Sequence, residues 1–233
     1  MDFGRGLKVN QRQLTPSYVR YLARVIRPFP NWDFFFIKSL RQRAVEALQL
    51  KPGSRVLDAG CGPGGTFPYL AEAVGPTGEV VGVEISPEAA INARRRIESN
   101  HWKNVHVLVG NAKMIQLAGM FDGLVMFAAP DVYASPEAIA NLFAHLKPDA
   151  RVAIFGAKLS YHHLGALPNS VLRMLMKLSF TTTPALDDSP LSAIGNRIAH
   201  LHMQEYVLGC MFLAWGSVVP QGSEGQRPKL CEE

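Results

Sequence analysis

The run Val56-Leu57-Asp58-Ala59-Gly60-Cys61-Gly62-Pro63-Gly64-Gly65-Thr66 constrains the fold more than any other stretch of this chain. An apolar strand ends in an acid, the chain turns on four glycines, and residues 66–74 carry a helical pattern. Gly60 and Gly62 admit backbone angles closed to other residues and let the main chain approach a ligand at contact distance. Strand, glycine turn and helix in that order predict an α/β fold built around a nucleotide-type cofactor.

Two cofactors compete for this turn. Gly60, Gly62 and Gly65 satisfy the G-x-G-x-x-G pattern of dinucleotide sites, in which a pyrophosphate sits at the helix N-terminus. Asp58 argues for the other. A carboxylate just before the turn is poorly placed beside a diphosphate, but well placed beside a cationic amino-acid moiety such as that of S-adenosylmethionine.

Over these residues the sequence resembles the class I S-adenosylmethionine-dependent methyltransferases of the small-molecule type. Their first motif is an acid, a small residue and G-x-G-x-G, here Asp58-Ala59-Gly60-Cys61-Gly62-Pro63-Gly64. Their second is an acid ending the next strand, supplied by Glu79-Val80-Val81-Gly82-Val83-Glu84, which implies that Glu84 accepts from both ribose hydroxyls. Their third reads Gly-Asp-Ala. This chain has Gly110-Asn111-Ala112 after Val105-His106-Val107-Leu108-Val109, and an Asn oxygen still accepts from the adenine amine. The resemblance implies a donor site of Asp58, Gly60, Cys61, Gly62, Pro63, Gly64, Glu84, Ile85, Asn111, Ala112 and Phe127. It covers roughly residues 15–219, with its motifs between 55 and 156.

Past residue 54, apolar runs near 55–58, 79–84, 105–109, 124–127 and 151–156 alternate with helical patterns. That alternation predicts a doubly wound, mostly parallel, Rossmann-like α/β sheet with helices on both faces. Ser86-Pro87-Glu88-Ala89 and Ser135-Pro136-Glu137-Ala138 each read as a helix start, with a Ser cap, a Pro in the first turn and an acid suited to the helix dipole. A short strand over 199–203 followed by a long one over 205–215 is too closely spaced for a helical crossover, so an antiparallel C-terminal edge hairpin is expected. The predicted organisation is a basic N-terminal arm with lid helices over 1–53, a core over 54–219 and a tail without a core over 220–233. An acceptor-side insertion over 161–200 interrupts the core.

The 233 residues, 48% hydrophobic, suffice for one well-buried domain. Residues 1–55 hold 11 Lys or Arg against 3 Asp or Glu, so the net charge of +5 originates in the N-terminal arm. Cys61, Cys210 and Cys231 form neither a disulfide framework nor a zinc pattern, and no metal site is expected. These cysteines fit a reducing cytoplasm. No apolar run is long enough to span a bilayer, and the first residues lack a signal-peptide core.

Methyl transfer from a sulfonium is an in-line displacement, so the protein contributes chiefly alignment and dehydration. If the acceptor must lose a proton, a base belongs near the carboxyl ends of the fourth and fifth strands. His162 is the preferred base there, with His163 its competitor and a solvent-facing pair the plain alternative. Asp131, Tyr133 and Tyr161 are candidate acceptor contacts, as Tyr18 and Tyr21 are by loose similarity to the aromatic positions of helices that cover the donor. Trp32 and Phe34-Phe35-Phe36 read first as core packing, and second as an aromatic, basic surface for a lipid interface. The apolar run Val171-Leu172-Arg173-Met174-Leu175-Met176 points to a small hydrophobic or amphipathic acceptor. A nucleic-acid acceptor draws support from the basic arm alone, since Ala128-Ala129-Pro130-Asp131 lacks the motif of DNA amino-methyltransferases. A binding subunit that retains the donor fold without turnover is the remaining reading.

Overall fold

The computed structural model describes residues 35–158 and 191–219. Helix α1 (Phe35–Ala47) leads into β1 (Arg55–Ala59), α2 (Phe67–Val74), β2 (Glu79–Glu84), α3 (Pro87–Ser99) and β3 (Val105–Val109). There follow β4 (Phe121–Phe127), the short α4 (Pro130–Tyr133), α5 (Pro136–Phe143) and β5 (Leu146–Ala157). After a 3₁₀ turn (Gly195–Arg197) come β6 (Ile198–Tyr206) and β7 (Met211–Val218).

The seven strands form one sheet in the order β3-β2-β1-β4-β5-β7-β6. The pairs among β1 to β5 are parallel, while β7 runs antiparallel to both β5 and β6. The order reverses at β1, where two loops diverge and a doubly wound sheet opens its crevice. This is the expected mostly parallel sheet with an antiparallel C-terminal hairpin.

Strand alternation sends neighbouring side chains to opposite faces. Leu57, Leu124, Met126, Val152 and Ile154 join Val132, Ile139 and Leu142 of α4 and α5 on one side. Val56, Val125, Phe127, Ala153 and Phe155 meet Leu40, Ala44 and Leu48 of α1 and Phe67 and Leu70 of α2 on the other. The portion of the expected lid over 35–47 is therefore a core helix, because its apolar stripe is buried against the sheet. Ser86 and Ser135 cap α3 and α5 as their sequences forecast, accepting from Ala89 N and Ala138 N, each at 3.3 Å.

The C-terminal hairpin corrects the expected strand boundaries. The run over 205–215 is two strands, broken at Val207, Leu208 and Gly209, which have φ of +51°, +55° and +80°. Gly209 N and Cys210 N close the turn on the carbonyls of Tyr206 and Val207. Three consecutive left-handed residues cannot continue a strand, however apolar their side chains. Likewise residues 198–200 belong to β6 and not to an insertion.

Candidate donor-binding site

The site forms where β1 and β2 end. The turn after β1 is fastened to β2, since Gly60 N and Cys61 N both donate to Val83 O, at 2.8 and 3.1 Å. Its glycines have different tasks. At Gly60, with φ +76°, a Cβ would lie 2.5 Å from the Cβ of Ala129, so its bareness makes room for the loop after β4. At Gly64 a Cβ would strike the Phe67 ring, and at Gly65 the guanidinium of Arg41. Gly62, with φ +54°, has nothing within 4 Å of the Cβ direction and presents bare backbone to open space. Pro63 beside it is exposed.

Glu84, at the end of β2, holds the turn from the other side. Its Oε2 accepts from Gly62 N at 2.9 Å and its Oε1 from Ser86 N at 2.8 Å. Each carboxylate oxygen can accept a further bond, as a ribose diol requires. Ile85, next in the chain, is 56% exposed and offers an apolar surface beside it.

Asp58 is the anomaly of the site. It is fully buried, and among the described residues neither of its oxygens has a hydrogen-bond partner. Burial raises its pKa from the ordinary 3.8 to about 7, with Arg41 drawing it down and Glu84 adding to the rise. A buried carboxylate left unbonded is costly and is retained where a ligand completes it. Cys61, also buried, has its thiol pushed up by desolvation and by the charges of Asp58 and Glu84.

Arg41, from α1, is the component the sequence reading missed. Its guanidinium lies 4.3 Å from the centroid of Phe127, and its Nη1 donates to Thr66 Oγ1 at 2.9 Å. Phe127 stacks on Phe155 at 4.4 Å through its other face, so both ring faces are covered and the side chain is core. Asn111 is half-buried, and its Oδ1 accepts from Lys113 N at 3.0 Å, which closes its own turn and leaves acceptor capacity. Ala112 is buried in the core, with its carbonyl accepting from Asn141 Nδ2.

On the acceptor side, Asp131 is exposed in the first turn of α4. Tyr133, expected to meet the acceptor, is instead 2% exposed and set edge-on to Phe212 at 6.1 Å. Burial pushes its hydroxyl's pKa up. Its position in α4 turns the ring into the sheet, so it supports the site from beneath. Tyr18, Tyr21, Tyr161, His162 and His163 lie outside the described residues. Ala128, joining β4 to α4, has φ of +56°, uncommon for a residue with a Cβ, and sits at the mouth of the crevice. Among the described residues no group of three His, Cys, Asp or Glu is arranged to hold a metal ion.

A reversing parallel sheet, a glycine turn with one bare face, and acids ending two adjacent strands define a cofactor-binding α/β protein of the class I S-adenosylmethionine-dependent methyltransferase type. The chain belongs to the methyltransferase domain family, which it matches over residues 50–183, more than half its length. It is 35% identical over 126 residues to the protein-L-isoaspartate O-methyltransferase of Ignicoccus hospitalis, spanning 53% of this chain and 60% of that one. It is 34% identical over 116 residues to the 2-phytyl-1,4-naphtoquinone methyltransferase of Thermosynechococcus vestitus, spanning 49% and 51%. Both matches thus span less than two thirds of the relative's own length. A S-adenosylmethionine-dependent methyltransferase structure from Aquifex aeolicus shares the fold, with a TM-score of 0.57 and 23% identity over 88% of this chain and 98% of that one.

Proposed function

We propose that this protein transfers a methyl group from S-adenosylmethionine to an N or O atom of a small hydrophobic or amphipathic acceptor. The observation that carries the donor half is Asp58, a buried carboxylate that bonds to none of the described residues, on the strand that leads to bare Gly62 and runs beside that of Glu84. A cationic amino-acid end satisfies it, whereas a diphosphate would add negative charge to two acids. The cofactor supplies an activated methyl group on a sulfonium that carries its own leaving group. Asp58 holds the ammonium, the turn at Gly60, Cys61, Gly62, Pro63 and Gly64 lines the amino-acid end, and Glu84 accepts from the ribose hydroxyls. Ile85 offers apolar surface to the base, and Asn111 accepts from the adenine amine. Ala112 and Phe127 shape the site from the core.

Two features support the acceptor half. A naphthoquinone methyltransferase is among the relatives, and the chain carries the apolar run over 171–176. His162 takes the acceptor's proton, with His163 its neighbour, while Asp131 and Tyr161 orient the acceptor and Tyr18 and Tyr21 cover it. The basic, aromatic N-terminal segment meets a lipid surface when the acceptor is membrane-dissolved. No described helix is long and apolar enough to cross a membrane, and the proposed setting is cytoplasmic.

Calorimetric titration with S-adenosylmethionine and, separately, NADH tests the donor. Micromolar binding of the first alone supports the reading, and binding of NADH alone overturns it. Methyl incorporation into naphthoquinols, but not into nucleic acid or an isoaspartyl peptide, supports the acceptor class. Donor binding with no incorporation into any acceptor favours a non-catalytic subunit.

A further inference from the structure

The two edges of the described sheet, β3 and β6, are built differently. β6 is blunted: its ladder with β7 slips between Ala199 and His202, His200 takes φ of +48°, and Glu205 is charged and exposed. Irregularities of this kind keep an edge from pairing with a further chain. β3 has none of them. It pairs with β2 in unbroken register, contains no proline, lysine or acid, and exposes Leu108 at 37% and Val109 at 43%. Asn104 O and Gly110 N bond inward to Val80 N and Glu84 O, each at 2.9 Å, so the intervening odd-numbered residues turn their backbone outward. Val105 is buried, which leaves Val107 and Val109 as the open part of that row. One bond from the described residues reaches it, Arg94 Nη2 to Val107 O at 3.5 Å, at the weak limit of a hydrogen bond.

The charge around this edge selects what it fits. Residues 91–109 hold four Lys or Arg against one acid, in a chain that after residue 55 carries 13 against 16. Arg94, Arg95 and Lys103 are exposed, and Glu79 on β2 is bonded to Arg55. A second copy laid edge to edge would bring like charges together, whereas an acidic strand is attracted. We propose that the outer edge of β3 takes up an extended acidic segment of a partner protein as an added strand, through the backbone of Val107 and Val109, with its carboxylates facing Arg94 and Lys103. The long bond from Arg94 is then a placeholder. An amide of the partner takes Val107 O, and the released guanidinium meets a carboxylate, which is the stronger acceptor. Leu108 and Val109 supply apolar contact to alternate side chains of the added strand. The edge holds none of the residues assigned to the donor or the acceptor, so this inference stands apart from the proposed methyl transfer.

Nuclear magnetic resonance on the isotope-labelled full chain tests this with three probes. They are a short peptide alternating valine and glutamate, its valine and lysine counterpart, and the glutamate peptide N-methylated at every amide. The glutamate peptide should slow hydrogen exchange at the Val107 and Val109 amides and leave His106 and Leu108, which already face β2, as they were. At low salt it should bind about tenfold more tightly than the lysine peptide, as a few cross-strand charge pairs imply. The N-methylated peptide should give no protection. Arg94→Glu with Lys103→Glu, checked by its melting temperature, should invert the preference to the lysine peptide, and if the pair fails to fold, Lys103→Glu alone should narrow it. Shifts without protection at the two valines, or equal binding of the N-methylated peptide, mean a merely electrostatic surface and overturn the inference. So do equal affinities for the two charged peptides, binding of neither, or an uninverted preference in a folded variant. Protection that appears on concentrating the protein without peptide gives the edge to a second copy and overturns the acidic partner.

Discussion

Replacing Asp58 with Asn should alter the protein's response to pH in two separable ways. In the donor-free protein, burial raises the Asp58 pKa from 3.8 to about 7, Arg41 on α1 opposes that rise, and Glu84 on β2 reinforces it. At about 1.4 kcal/mol per pH unit, ionised Asp58 is about 4 kcal/mol costlier in the fold than in the unfolded chain. Between about pH 4 and 7 the folded protein keeps a proton that the unfolded chain has released. Stability from this group is therefore highest at low pH and falls as pH rises through that window. Urea unfolding of wild type and Asp58→Asn from about pH 4.5 to 8 isolates the effect as the difference between the two curves. The wild type should lose about 3 kcal/mol relative to the variant across that range, most of the full effect. Donor affinity should move the opposite way, because the cationic end requires the ionised form. From about pH 5.5 to 7.5 the ionised fraction, and with it the association constant, rises about 25-fold. Asp58→Asn should bind weakly and without that slope. Parallel stability curves for the two proteins, or a wild-type affinity flat in pH, would refute the assignment of Asp58 as the ammonium partner.

Glu84→Ala should weaken donor binding by roughly 1–3 kcal/mol by calorimetry, and should also lower the melting temperature because Gly62 N and Ser86 N lose their acceptor. Gly60→Ala should destabilise by roughly 2–4 kcal/mol, since its Cβ collides with Ala129 at a left-handed φ. Gly62→Ala should cost the fold about 1 kcal/mol and yet weaken the donor at least about tenfold, since the added methyl enters open space on the ligand side. Melts and titrations of the pair check this contrast, and the reverse pattern would overturn the division of labour among the glycines. His162→Ala should depress turnover at saturating donor while leaving donor affinity nearly intact, and equal turnover returns His162 to a surface loop.

The strand, glycine turn and paired acids of the candidate donor site were legible because they are adjacent in sequence and their spacing is dictated by one turn and two strand ends. Asp58, Gly62 and Glu84 each announce a backbone or charge requirement that few other contexts produce. Arg41 was illegible for the opposite reason. It precedes the turn by a helix and a loop, and within α1 it reads as one more basic residue beside Lys38 and Arg43. Only the packing of Leu40, Ala44 and Leu48 on the sheet aims it at Thr66 and Phe127. The C-terminal hairpin was legible as a hairpin but not in its boundaries, because the hydrophobicity of Val207 and Leu208 masked the turn marked by Gly209. Tyr133 was misjudged because strand ends show where a residue emerges, and a four-residue helix then decides which way it faces.

The contact between Gly60 and Ala129 limits how such a protein can diversify. The donor turn and the loop leading to the acceptor press together at a point where neither has volume to spare. A lineage acquiring a new acceptor cannot enlarge position 129 without disturbing the turn. Beyond it Val132 and Tyr133 are buried as well, and the restriction lifts only at the exposed positions Asp131 and Ala134. Selection for new chemistry, or a library built in the laboratory, should therefore leave the small residue at 129 in place and concentrate its changes at Asp131 and Ala134.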